Sequence, residues 1–95
     1  MNFNEYQKLA RSTAVYPEES KVIYPALGLC GEAGEVADKI KKTIRGDSSL
    51  VEVTGSIAGE LGDVLWYLAI LADDLGVELE DCLLYTSPSP RDQLQ

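Results

Sequence analysis

Between Asn2 and Asp81 the apolar residues return every three or four positions, and over no useful length do they alternate one by one. The first pattern is the stripe of a 3.6-residue helix and the second that of a half-buried strand, so the chain is restricted to helices packed on helices. One helix is expected from Asn2 to about Ala14: Asn2 with Glu5 three residues on makes a capping-box-like start, and Phe3, Tyr6, Leu9 and Ala10 share a face. Tyr16-Pro17 ends it. A second helix is expected from near Pro25 to Arg45 with Gly46 as its stop, and its stripe is Leu29, Ala33, Val36, Ala37, Ile40 and Ile44. A third is expected from about Glu52 to Leu75, stopped by Gly76, with Ile57, Leu61, Val64, Leu65, Leu68, Leu71, Ala72 and Leu75 facing inward. A fourth begins at Val77 or Glu78 and is cut short. The expected fold class is all-α, an antiparallel helical bundle of three helices plus a truncated fourth, completed by oligomerisation.

Charge then narrows the function. A net charge of −8 argues against nucleic-acid binding by backbone neutralisation and against anchoring to an anionic membrane, both of which need a basic surface. No apolar run of membrane-spanning length is apparent, and the polar start "MNFNEYQK" lacks the regions of a signal peptide, so a cytoplasmic location is expected. With no histidine, the usual zinc spacings cannot be written and the commonest general base is missing. Cys30 and Cys82 make no disulfide framework, and Cys30 reads as a small buried residue.

The acids themselves are patterned. Gly31-Glu32-Ala33-Gly34-Glu35 on the second helix and Gly59-Glu60-Leu61-Gly62-Asp63 on the third each place two carboxylates three residues apart, hence on one face. If the helices pack antiparallel, Glu32, Glu35, Glu60 and Asp63 can converge at one edge of their interface. The four glycines cost roughly 1 kcal/mol each in helix propensity, and small residues there would let the backbones approach closely. Four carboxylates without a cation would repel, whereas magnesium prefers oxygen ligands and shares its shell with phosphate. Either pair alone is an ordinary solvated helix face; the repetition is what points to a site. Lys39, Lys41, Lys42 and Arg45 complement the dipole at the end of the second helix, with phosphate contact by Lys39 and Lys42 as the alternative. Trp66 and Tyr67 are candidates to stack on a base or to fill the core, and Asp38, Asp73 and Asp74 read as solvated.

"LGLCGEAGEVADKIKK" followed by "GELGDVLWYLAILADDLGVELED" resembles the MazG-like all-α nucleotide pyrophosphohydrolases, whose signature is Glu-x-x-Glu, a spacer, then Glu-x-x-Asp. The resemblance covers nearly all of Asn2 to Asp81. It implies magnesium-dependent hydrolysis of a nucleoside triphosphate to the monophosphate and pyrophosphate, with manganese as a substitute ion. By position it implies Glu32, Glu35, Glu60 and Asp63 as metal ligands, with Glu32 or Glu35 orienting or deprotonating the attacking water. A homodimer or dimer of dimers is implied as well. The other reading kept open is a non-catalytic acidic helical domain built for dimerisation; a di-iron bundle would want Glu-x-x-His motifs that a histidine-free chain lacks.

The domain is expected to span residues 1–81. "CLLYTSPSPRD", Cys82 to Asp92, resembles one reading frame of a transposon-based sequencing adapter, so residues 82–95 are expected to be a non-native tail in place of a phosphate-contacting stretch. Pro88 and Pro90 should stop any helix there.

Overall fold

The structure is a computed structural model and describes residues 1–85; the expectations for Pro88, Pro90 and the rest of the tail lie outside the described residues. Three α-helices carry it: α1 (Phe3–Ser12), α2 (Ile23–Ile44) and α3 (Leu50–Asp74), with short 3-10 segments at Glu18–Ser20 and Leu79–Leu84. The fold is all-α, as expected. The helix ends follow from local chemistry. Asn2 Oδ1 accepts the Glu5 amide at 2.8 Å and caps α1. Ser49 and Glu52 form a full capping box on a Ser-x-x-Glu spacing that starts α3 at Leu50, two residues earlier than expected. At the ends of α2 and α3, Gly46 (φ +87°) and Gly76 (φ +76°) take the left-handed conformation. Each makes the paired bonds of a Schellman motif: Gly46 and Asp47 amides to Thr43 and Lys42 carbonyls, Gly76 and Val77 amides to Asp73 and Ala72 carbonyls.

The fourth helix is corrected to one 3-10 segment, Leu79–Leu84, whose Leu79 is buried. Its backbone is tied by side chains of α1. The buried Gln7 donates to the Ala69 and Val77 carbonyls (3.2 and 2.9 Å) and accepts the Leu79 amide (3.0 Å). These contacts hold the segment across α1 and the end of α3 in a geometry that an α-helix from Val77 would not provide.

The short link Arg45–Ser49 folds α2 back against α3 as an antiparallel hairpin, while α1 packs on the C-terminal half of α3. The buried core is small and lies at that junction: Ala10, Ala69, Ile70 and Leu79, with Tyr6, Tyr16 and Trp66 packed against it. The expected inward stripes are therefore only partly inward. Ile44, Leu61 and Leu75 are more than half exposed, and Ala33 and Ala37 are exposed too, because two helices in a hairpin cover only one side of each other. Helix α3 is also, by length and composition alone, long and apolar enough to cross a membrane, contrary to the sequence reading. Glu60 and Asp63 stand near its middle, where a bilayer would penalise them heavily.

Candidate active site

The hairpin register sets the site. Gly28 lies against Tyr67, where a Cβ would collide with the ring, and Lys39 Nζ reaches Ser56 Oγ. In that antiparallel register Glu32 is level with Asp63, and Glu35 with Glu60. Glu32, Glu60 and Asp63 come together, each with a carboxylate oxygen within 4.8 Å of the others. Glu35 is exposed and lies outside this group of three. The flank of Glu60 is held instead by Lys39, whose Nζ is 3.2 Å from Glu60 Oε1.

Two effects offset the repulsion within the cluster. A bond to Glu60, then burial, then the charges of Glu60, Asp63 and Glu35 push the Glu32 carboxyl up to about 7. Glu60 moves the other way, held low by that bond from Glu32 and by Lys39.

The remaining candidates divide. Lys42 pairs with Asp38 one turn back (2.9 Å) and is not brought to the cluster; Asp38, expected to be solvated, is held below its usual range by Lys42 first and Lys41 after it. Cys30 is exposed, not buried. A Cβ at Gly31, Gly34, Gly59 or Gly62 would meet nothing within 4 Å, so these glycines do not bring α2 and α3 together; Gly28 alone does.

Trp66 packs against the edge of the core, and Tyr67 sits on Gly28. With Tyr16, read from the sequence only as a helix end, and Tyr24, they wall a cavity of about 230 Å³ that Thr13, Val15 and Pro17 also line. Tyr16 and Tyr24 stack at 5.0 Å, and Trp66 meets Tyr67 edge-on at 5.1 Å. Their link to the acids is Tyr67: burial, then the Tyr24 hydroxyl, then the charges of Glu32 and Asp63 raise its phenol. Tyr6 of α1 is raised by burial and by Asp63 as well. The signal that could have found Tyr24 is its place four residues before Gly28 and eight before Glu32, on one helix face.

Asp74 is the clearest reversal, while Asp73 is exposed as expected. Both bind Arg11, and Asp74, whose side chain is fully buried, also accepts the Tyr16 hydroxyl (2.7 Å) and the Val22 amide (2.9 Å). This network ties α1 and α3 to the start of α2 and fixes Tyr16 behind the cavity.

The family model described as the MazG nucleotide pyrophosphohydrolase domain matches residues 25–87, which contain both acidic pairs and run into the adapter-like stretch. The chain is also 40% identical to the "Gene 37 protein" of Mycobacterium phage L5 over 87 residues, covering 83% of this chain and 76% of that one. No solved structure matches it.

Proposed function

Because the chain belongs to the family of the MazG nucleotide pyrophosphohydrolase domain, we propose that it hydrolyses nucleoside triphosphates to the monophosphate and pyrophosphate, with magnesium held by Glu32, Glu60 and Asp63. The observation that supports this most is the convergence of three carboxylates from two helices within 4.8 Å. The donor set is all oxygen, its charges raise the Glu32 carboxyl, and Lys39 pairs with Glu60, which is what a site with surplus negative charge does. When bound, magnesium supplies neutralisation of phosphate charge and activation of water.

The chain's own residues have separable tasks. Glu32, Glu60 and Asp63 bind. Glu35, outside the group but close enough for Glu32 to feel its charge, is free to orient the attacking water and take its proton. Lys39, 3.2 Å from Glu60 on the flank of the group, would be placed to meet a phosphate there. The substrate class proposed is nucleoside triphosphates and the place of action cytoplasmic, with no nucleic-acid or membrane partner.

Pyrophosphate release measured over a panel of triphosphates, with and without magnesium, tests the reading. Glu32→Gln, Glu60→Gln and Asp63→Asn are each expected to lower turnover at least about 100-fold with helicity kept. Full turnover in all three would remove the site. The exposed apolar faces of α2 and α3 favour one other reading, a helical dimerisation domain, and that reading expects neither magnesium binding nor pyrophosphate release.

A further inference from the structure

We propose that Gly28 and Tyr67 form a steric pin that fixes the register of α2 against α3, which makes them positioning residues for the carboxylate group. The inference rests on Glu32, Glu60 and Asp63 being the metal ligands and names what keeps the two halves of that set in line. The contact is between a backbone and a ring. A Cβ at Gly28 would collide with Cδ1, Cε1 and Cζ of Tyr67, and no other glycine of the chain has a neighbour so placed. The ring has little room to retreat, because Trp66 meets it edge-on with centroids 5.1 Å apart and Tyr24 stands against it at 6.2 Å.

Placement ties the pin to the acids. Glu32 follows Gly28 by four residues and Asp63 precedes Tyr67 by four, so the pin lies one helical turn from the group on both helices. A second contact in the same alignment closes the other side: Lys39 Nζ donates to Ser56 Oγ, eleven residues on from Gly28 along α2 and eleven back from Tyr67 along α3. The link has no need to set this alignment. Gly46 and Asp47 complete the cap of α2 and Ser49 opens that of α3, which leaves only Ser48 between the two caps. Magnesium holds its oxygen ligands at about 2.1 Å in a shell that tolerates little distortion. A ring forced off Gly28 would carry α3, and Glu60 and Asp63 with it, out of reach of an ion shared with Glu32.

Two readouts on the full chain separate the pin from the metal. Calorimetry gives magnesium affinity. A carbodiimide reads the alignment without metal: it joins Lys39 Nζ to the Glu60 carboxylate, 3.2 Å apart across the hairpin, as an amide, the reagent taking up the water lost. Coupling of Lys42 to Asp38 (2.9 Å), within α2, is the internal standard. Gly28→Ala should weaken magnesium binding at least about tenfold and lower the amide yield by a similar factor, with helicity kept because alanine favours a helix over glycine. In a Tyr67→Ala background the same change should alter each readout by less than about twofold, since the Cβ then has room. Gly34→Ala, where a Cβ meets nothing within 4 Å, should leave both within about twofold of the parent, and so should one glycine inserted between Asp47 and Ser48. Parental behaviour of Gly28→Ala, an equal loss in both backgrounds, or loss on the insertion would overturn the pin. Amide yields that follow the expected pattern in a chain that binds no magnesium would overturn the metal site alone, and magnesium binding by a parent whose yield is indifferent to Gly28→Ala would overturn the pin alone.

Discussion

Glu32 holds a proton to about pH 7 because Glu60 accepts it and the charges of Glu60, Asp63 and Glu35 discourage its loss. A divalent ion at the cluster must displace that proton. Apparent magnesium affinity should therefore fall about tenfold per pH unit below 7 and level off above it, with up to one proton released per ion bound. Calorimetry at pH 6 and pH 8 in two buffers reads both, and an affinity indifferent to pH would remove Glu32 from the ligand set. Lys39 is the resident competitor for Glu60. Lys39→Met should bind magnesium about three- to tenfold more tightly, whereas Lys42→Met, whose ammonium already pairs with Asp38, should change affinity by less than about twofold.

Among the elements, the entry to α2 is where local strain is set against a tertiary contact. Val22 has φ +69° and ψ −53°, and the Ile23 amide donates across it to the Lys21 carbonyl at 2.7 Å: this is the strained form of the γ-turn, in a β-branched residue. Asp74 holds it there through the Val22 amide. Removing that anchor in Asp74→Ala would leave Arg11 and Tyr16 without their buried partner, with an expected loss of about 3 kcal/mol in urea unfolding. Burial pushes the Asp74 carboxyl up, but the Val22 amide, Tyr16 hydroxyl and Arg11 guanidinium outweigh it and hold the carboxyl below its usual range. A carboxyl depressed in the folded state stabilises above its unfolded pKa of about 4 and loses that contribution as pH falls further, so parent and variant should converge in acid. A constant difference down to pH 2 would contradict the network.

For the molecule as a whole, the unfinished surface is the hairpin. Ile40, Ile44, Leu61 and Leu68 are each more than a third exposed on α2 and α3, beyond the reach of α1. Burying such a face against a second copy is the expected solution, giving a homodimer or a dimer of dimers. Light scattering at micromolar concentration should show the oligomer, and Leu61→Glu should shift it toward monomer without loss of helicity. A parent that is purely monomeric would mean the face is covered by something else.

What the residues determined unaided was local. Helical period, the Asn2 cap, the Gly46 and Gly76 stops and the shared faces of Glu32 with Glu35 and of Glu60 with Asp63 all follow from interactions within one or two turns of chain. Periodicity says which side of a helix a residue is on, but not what stands opposite. Only the register of α2 against α3 left Glu35 outside the carboxylate group, put Lys39 beside Glu60 and seated Tyr67 on Gly28. The packing of α1 across α3 likewise turned Asp74 from a surface acid into a buried anchor and closed four aromatic rings around one cavity. Those outcomes depend on pairs more than ten residues apart, whose alignment is set by the fit of two whole surfaces and by no stretch of sequence short enough to read alone.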